Sequence, residues 1–161
     1  MNVTVKKPQT DDEIRGKAFV HWKAWQEAYS SLLDGEFLAS RTLDSCVEKA
    51  YKWKDGILIA KDGERVVGFA GFGRCRDADL PDAGEVTAIY VLADHYGRGV
   101  GAALMSAALE ALDRPQTVVW LIKGNERAFR FYEKFGFRAD GCEKELTLGK
   151  PVRLLRMVRG L

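Results

Sequence analysis

The segment 85–112 does most to restrict the folds open to this chain. Residues 85–91 are rich in β-branched and aromatic side chains, which favours a strand. Residues 97–112 are rich in Ala and Leu and predict a helix that starts in a run of three glycines, Gly97, Gly99 and Gly101. A strand that passes through a glycine loop into a helix indicates an α/β domain, because the helix has to cover a face of the strand's sheet.

The elements before this segment follow from caps, periodicity and turns. Thr10 and Glu13 match a capping box, which predicts a helix start. The apolar residues that follow share one helical face: Ala18, Trp22, Trp25, Tyr29 and Leu32. A second helix is predicted over residues 43–53, and residues 57–60 and 66–72 predict two antiparallel strands around the turn at Asp62-Gly63.

The elements after it continue the alternation of strands and helices. Residues 117–122 form an uninterrupted apolar run, typical of a central strand, and residues 126–135 predict a helix that Gly136 ends. Residues 143–148 and 152–158 suggest a closing hairpin, although Arg153, Arg156 and Arg159, spaced by three, fit a strand poorly. The order predicts a mixed sheet with helices on its faces, in a single domain over residues 1–161.

Composition and charge exclude several classes of protein. The 25 basic and 23 acidic side chains nearly cancel, which argues against a nucleic-acid partner. The most apolar later segment, residues 99–109, is far shorter than a membrane span of about 20 residues, so we expect no membrane partner and a cytoplasmic protein. Three widely spaced cysteines and two distant histidines suggest neither a disulfide framework nor a metal site.

The glycine loop suggests an anion cradle. Its glycines sit where a helix N-terminus exposes free N–H groups, and Arg98 can add a charge-assisted contact. A tight strand-to-helix turn without a ligand is the alternative. The spacing Gly97-x-Gly99-x-x-Ala102 also matches a dinucleotide fingerprint, but five residues separate these glycines from the strand and the next strand does not end in an acidic residue. A Walker loop fails because no Gly-Lys-Ser/Thr follows.

Two motifs in this sequence resemble those of the GCN5-related N-acetyltransferase (GNAT) superfamily. Residues 85–105 look like its acetyl-CoA-binding segment, with Gly99 and Gly101 at the small positions of the pattern Q/R-x-x-G-x-G/A and Tyr96 where Gln or Arg is usual. Residues 125–137 are similar to its second motif, N-x-x-A-x-x-F/L-Y-x-x-x-G-F. The resemblance implies an α/β GNAT fold, a mixed and mostly antiparallel central sheet of about six or seven strands flanked by about four helices.

The resemblance implies acetyl-CoA as co-substrate, and a set of residues that would bind it. The positions carried over are Ile89, Tyr90, Val91, Tyr96, Gly97, Arg98, Gly99, Val100, Gly101, Ala102, Asn125, Ala128, Phe131 and Tyr132. Asn125 would bond the pantetheine arm; its alternative is a helix N-cap, and the two roles are compatible.

Two residues are candidates for the chemistry. An amine with a pKa of about 10 is mostly protonated at pH 7, so a base has to take its proton, and Glu85 resembles the catalytic glutamate of many of these transferases. Its alternative is a surface glutamate at a strand end. Tyr132 would donate a proton to the departing CoA thiolate, or else pack beside Phe129, Phe131 and Phe135.

The acceptor is the least specified part of the hypothesis. Trp25 and Tyr29 are candidates for an aromatic acceptor site, and a core stripe explains the same spacing. The predicted reaction is direct transfer of acetyl to a primary amine, with a small molecule favoured over a peptide N-terminus or a lysine, and a homodimer is possible. The alternative is a non-catalytic acyl-CoA-binding sensor or interaction module.

Overall fold

The computed structural model describes residues 2–160, which form a seven-stranded mixed sheet with helices on both faces. The strands are β1 Val3–Lys6, β2 Ile57–Asp62, β3 Arg65–Arg74, β4 Gly84–Val91, β5 Thr117–Ile122, β6 Arg138–Leu148 and β7 Lys150–Arg159. Their spatial order is β1-β2-β3-β4-β5-β7-β6, and every neighbouring pair is antiparallel except β4 and β5. The predicted fold class is confirmed.

Five α-helices and one short 3-10 helix complete the fold. They are α1 Asp11–Ala28, α2 Gly35–Ser40, α3 Leu43–Lys52, α4 Val100–Leu112, α5 Glu126–Lys134 and the 3-10 helix Ala93–His95. None of these helices within residues 2–160 combines the length and apolar character that crossing a bilayer requires.

The core lies on both faces of the sheet because successive strand residues alternate between them. Phe69 of β3 packs with Val20 and Ala24 of α1, whereas the next residue, Ala70, belongs to the cluster that contains Leu104 of α4. Helices α1 and α4 therefore cover opposite faces of the same strands.

The predicted capping box starts α1 and also ties that helix to the sheet. Thr10 Oγ1 accepts a hydrogen bond from the Glu13 amide at 3.1 Å, and Glu13 Oε1 accepts one from the Thr10 amide at 3.2 Å. The other carboxylate oxygen of Glu13 lies 2.7 Å from Lys6 Nζ and 3.1 Å from Lys61 Nζ. The hydrogen bonds to the carboxylate, first that from Lys6 and then that from the Gln9 amide, lower the pKa of Glu13 to about 2.

Several element boundaries differ from those predicted. Helix α1 ends at Ala28, so Tyr29 is its C-cap and Leu32 lies beyond it. Helix α4 begins at Val100 rather than at Gly97, because Gly97 and Gly99 have positive φ. Strand β1 and helix α2 were not predicted, since four and six residues carry too little periodicity.

The closing hairpin forms despite its arginines. Spacing by three puts Arg156 on the face of β7 opposite to Arg153 and Arg159, which are both exposed. Arg156 is buried and pairs with the carboxylates of Asp77, Asp79 and Asp140 at 3.2, 2.8 and 2.7 Å. These carboxylates balance the charge of the buried Arg156 and accept its hydrogen bonds, and none of them is near Arg156 in sequence.

The two parallel strands in the middle of the sheet separate soon after they begin. Only Gly84 and Glu85 of β4 pair with β5, opposite Thr117 and Val118. The register of β4 against β3 also shifts between Gly71 and Phe72, as at a β-bulge, which bends a strand. A gap thus opens between β4 and β5 toward their C-terminal ends.

Candidate active site

A cavity of about 700 Å³ occupies the gap between β4 and β5. Its walls come from the C-terminal halves of these two strands, the N-terminus of α4, helix α5 and the end of α1. The volume falls within the range of about 300 to 1,000 Å³ typical of small-molecule sites.

The structure brings nearly all the predicted cofactor-binding residues to this cavity. Those that line it are Ile89, Tyr90, Val91, Tyr96, Gly97, Gly99, Val100, Gly101, Ala102, Asn125, Ala128, Phe131 and Tyr132. Arg98 is exposed and is not part of the lining. Two motifs that are separate in the sequence, residues 85–105 and 125–137, thus line the same cavity.

The glycine loop presents backbone N–H groups to one end of the cavity. Gly99 is the N-cap of α4 and makes no side-chain hydrogen bond. The first amide to donate within the helix is that of Ala103, which bonds to the Gly99 carbonyl. The amides of Val100, Gly101 and Ala102 therefore have no helical acceptor. Gly97 and Gly99 have φ values of +73° and +82°, and a Cβ at either would point into open space. A helix N-terminus with this free approach favours a phosphate group.

Strand β4 offers further backbone groups along the gap. The Leu92 amide donates to the Val67 carbonyl of β3. Because backbone groups alternate in direction along a strand, those of Ile89 and Val91 point away from β3, toward the side from which β5 has separated. An extended ligand that carries amides can bond to them there.

Tyr96 occupies the loop position at which the family has Gln or Arg. Its ring lies under the guanidinium of Arg127, which is 3.2 Å from the ring centroid, and both residues line the cavity. Sequence reasoning missed Arg127, since only the fold brings the first turn of α5 against the loop. This cation supplies positive charge beside the free amides.

Tyr132 belongs to both the core and the cavity. Its ring packs edge-on against Phe131 and Phe137, with centroids 5.6 and 5.8 Å away, and only 8% of the residue is exposed. Burial, together with nearby Tyr29, raises the pKa of the Tyr132 phenol. The phenol is protonated at neutral pH, as a donor has to be, and its raised pKa makes it a weaker acid than an exposed tyrosine.

Asn125 is the N-cap of α5, as the alternative to its cofactor role predicted. Its Oδ1 accepts a hydrogen bond from the Ala128 amide at 3.3 Å. The side-chain nitrogen has no protein partner within residues 2–160, and the residue lines the cavity. Capping and donation to a ligand are therefore compatible.

Glu85 is not part of the cavity lining, to which β4 contributes only from Val86 onward. Glu85 is only 1% exposed. Its carboxylate accepts hydrogen bonds from the Arg76 amide at 3.2 Å and from Arg76 Nη2 at 2.8 Å. The same ion pair raises the pKa of Arg76. Glu85 is buried, so the alternative of a surface glutamate is wrong, and the carboxylate holds the loop between β3 and β4.

The two predicted acceptor residues lie side by side, but only Tyr29 lines the cavity. Its ring is edge-on to that of Trp25 at 4.9 Å, and its hydroxyl lies 3.0 Å from the hydroxyl of Tyr90. Both rings also pack with Leu33 and Leu38, so the stripe is part of a core cluster as well.

His95, which sequence reasoning left without a role, anchors the approach to the glycine loop. Its Nδ1 lies 2.7 Å from Asp94 and its Nε2 lies 2.9 Å from Asp62 at the end of β2. Asp62 first, and then Asp94, raise the pKa of this buried imidazole. The segment between β4 and α4 is thereby fixed to the neighbouring strands.

The sequence matches the family model "Acetyltransferase (GNAT) family" over residues 19–137, which is most of the chain. The chain belongs to the GNAT family. It is 30% identical to the N-acetyltransferase YuaI of Bacillus subtilis over 166 residues, covering 92% of this chain and 93% of that protein. It is an N-acetyltransferase by this kinship.

Solved GNAT structures share the fold. The PaiA N-acetyltransferase of Thermoplasma acidophilum, solved with coenzyme A, superposes with a TM-score of 0.75 at 15% identity over 99% of each chain. YncA of Salmonella typhimurium, solved with acetyl-CoA, gives a TM-score of 0.71 at 15% identity over 98% of this chain and 93% of that one. At such identities the likeness concerns the fold of this GNAT chain.

Proposed function

We propose that this protein binds acetyl-CoA in the gap between β4 and β5 and transfers the acetyl group directly to the primary amine of a small acceptor. The observation that carries the proposal is the opening of two parallel strands beside a glycine loop whose amides have no helical acceptor. A pyrophosphate fits this end of the cavity, because the loop offers N–H groups without side chains in the way.

The pantetheine arm then has two kinds of partner. The backbone groups of Ile89 and Val91 lie along one wall, and the free amide nitrogen of Asn125 lies on the other. This path ends near Tyr29, Tyr90 and Tyr132, whose rings mark the proposed position of the thioester.

An ammonium acceptor loses one proton to the base before it attacks and a second after the C–N bond forms, and this second proton restores the donor that protonates the thiolate. The amine nitrogen attacks the thioester carbonyl, a C–N bond forms, the C–S bond breaks, and the thiolate takes the proton that Tyr132 donates. We propose Glu85 as the base that receives the amine proton. Because its carboxylate lies outside the cavity and is paired with Arg76, this transfer has to pass through one or two waters.

The binding step is tested by thermal unfolding with acetyl-CoA or NADH. Acetyl-CoA raises Tm if it binds only the folded protein, and NADH at the same concentration gives no comparable shift. Gly101→Val abolishes the shift, because a Cβ at Gly101 already meets Phe131 at 3.3 Å in the cavity wall. Gly35→Val is the matched control, since a Cβ at Gly35 meets nothing within 4 Å. A larger shift with NADH would replace this proposal by dinucleotide binding.

Turnover separates the enzyme from the acyl-CoA sensor. A panel of amines is incubated with acetyl-CoA, and free CoA and product mass are measured. Acetylated product supports the proposed transferase. A clear thermal shift without any product across the panel would favour the sensor.

A further inference from the structure

Three neighbouring side chains on the α1 side of the sheet contain buried polar atoms without a hydrogen-bond partner. These atoms are His21 Nδ1, Trp25 Nε1 and Arg41 Nε, and they are all such side-chain atoms found within residues 2–160. Folded proteins satisfy the great majority of their buried polar groups. Three exceptions at one place therefore call for an explanation at that place.

The three side chains form one cluster, which we call the His21–Trp25–Arg41 cluster. The Arg41 guanidinium stacks 3.7 Å from the Trp25 ring centroid, and its Nη2 lies 3.3 Å from His21 Nε2. The rings of His21 and Trp25 meet edge-on at 6.3 Å.

All three unpartnered atoms are donors. The indole and guanidinium nitrogens only donate. Because Arg41 also donates to His21 Nε2, that nitrogen has to accept, and the imidazole proton is assigned to Nδ1. The cluster thus offers three N–H groups; the Trp25 indole is directed toward the Tyr90 hydroxyl, whereas His21 Nδ1 and Arg41 Nε require an acceptor.

The surroundings are cationic. Lys17 is buried, with Nζ 4.5 Å from the Phe69 ring centroid. Burial, followed by the charges of Lys17, Arg41 and Lys49, lowers the pKa of His21 to about 3. Within residues 2–160 neither Lys17 nor Arg41 has a carboxylate partner, in contrast to the buried Arg156. Burial lowers the pKa of Lys17, so the unpartnered charge that favours an anion is that of the half-buried Arg41.

The cluster borders the proposed transfer site. His21 stacks on Tyr90 at 6.3 Å, and Trp25 contacts Tyr29 at 4.9 Å. Tyr29 and Tyr90 line the cavity and are hydrogen-bonded to each other. A molecule held by the cluster would lie against the cavity wall on the α1 side.

We propose that the His21–Trp25–Arg41 cluster binds a carboxylate of the acceptor, so that the substrate is an amine that also carries a carboxylate, of the amino-acid class. This inference rests on the proposed function. A guanidinium recognises a carboxylate through paired N–H groups, and the indole and imidazole N–H groups complete its acceptors. Because the three atoms are enclosed, the stack of Arg41 on Trp25 has to open for the ligand.

The kinetic test uses matched pairs, each an L-amino acid and its carboxamide, with saturating acetyl-CoA. We expect kcat/KM to be about 10- to 100-fold higher for the acid of the preferred pair. Arg41→Met removes that ratio while the acetyl-CoA thermal shift stays. Arg15→Met is the matched control, since Arg15 is exposed on α1, and it keeps the ratio. Equal rates for acid and carboxamide, or faster acetylation of amines that carry a phosphate, would overturn the inference.

A binding measurement separates this inference from the proposed function. Calorimetric titration with N-acetyl-L-amino acids, the expected products, needs no turnover. Binding by the wild type and its loss in Arg41→Met support the site even if no acetyl-CoA shift is seen, in which case only the proposed function fails. No binding by the wild type counts against the site. If Arg41→Met does not fold, Arg41→Lys keeps the charge without the paired N–H groups, and it should bind the N-acetyl-L-amino acid more weakly than the wild type. Wild-type affinity in Arg41→Lys would count against recognition by the guanidinium.

Discussion

At the scale of single residues, Tyr132 connects the core to the chemistry. Its ring packs against Phe131 and Phe137, and the residue also lines the cavity. Packing of this kind restricts the ring to one orientation, which is what a proton donor needs. The packing interpretation is confirmed, and it is compatible with the proton-donor role, which stays a prediction.

Tyr132→Phe separates the hydroxyl from the ring. The variant should fold with a Tm close to that of the wild type and bind acetyl-CoA with little change, because the packing surface is kept. If the phenol supplies the proton to the thiolate, kcat falls on the order of 100-fold. Steady-state kinetics beside thermal unfolding make the test, and full activity in Tyr132→Phe would leave the ring with a packing role alone.

Glu85→Gln tests the base. The expected result is a loss of turnover that is larger at pH 7 than at pH 9, because free amine is more abundant at the higher pH and needs less help. Acetyl-CoA binding should survive, since Glu85 is outside the cavity lining. A loss that does not vary with pH, or no loss, would leave Glu85 with only its structural role in holding the loop between β3 and β4.

At the scale of elements, the position of the glycine loop depends on the 3-10 helix Ala93–His95 that precedes it, which side-chain hydrogen bonds hold in place. His95 holds Asp62 of β2 and its neighbour Asp94, and Asp94 also pairs with Arg65 at 3.0 Å. His95 lowers the pKa of both carboxyl groups. This polar cluster supplies order that the loop's glycines cannot provide themselves.

His95→Gln should therefore destabilise the protein in a way that depends on pH. The pKa of His95 is raised above its usual 6.5, so its contribution is fully present below pH 6.5 and is lost as pH rises through the folded value. The carboxylates, with lowered pKa values, stay charged down to below pH 3.8. Tm should fall by about 3 °C at pH 6, and by less at pH 9.

His21→Gln provides a control of opposite sign. The pKa of His21 is about 3 in the folded protein, against an ordinary value of 6.5. Between these two pH values His21 binds a proton only in the unfolded state. It therefore destabilises the wild type as pH falls through this range. Relative to the wild type, His21→Gln should gain stability as pH falls from 6.5 to 5, whereas His95→Gln should lose stability as pH falls from 9 to 6.5. Parallel pH trends in the two variants would contradict the burial and pairing assigned here.

The sequence predicted the elements whose signals are local. The capping box of Thr10 and Glu13 and the turn at Asp62-Gly63 depend on residues within a few positions, and both formed. Contacts between distant residues could not be predicted from one sequence: Arg156 and Asp77 are 79 positions apart, and Tyr29 and Tyr90 are 61 apart. The cavity could be predicted only from the family resemblance, because the separation of β4 from β5 leaves no local pattern in the sequence.

At the scale of the whole molecule, the two proposed substrates approach from different faces of the sheet. Ile89 and Val91 pack with the cluster under α4 and α5, whereas Ala88 and Tyr90 pack with the cluster under α1. The gap between β4 and β5 joins these faces, so a cofactor bound beside α4 can present its thioester toward α1.

That residues 1–161 form one domain stays a prediction, and a single cooperative unfolding transition would support it.

This arrangement predicts direct transfer in a ternary complex. Two substrates that enter from opposite faces can be bound together, and none of the three cysteines, Cys46, Cys75 and Cys142, lines the cavity to form an acetyl-enzyme. Cys46 and Cys75 are also buried, and burial raises the pKa of the Cys75 thiol, which lowers its reactivity. Double-reciprocal plots with acetyl-CoA and the preferred amine should intersect, and the intact mass of the protein should not change after incubation with acetyl-CoA alone. Parallel plots together with a mass increase of one acetyl group would establish a covalent intermediate instead.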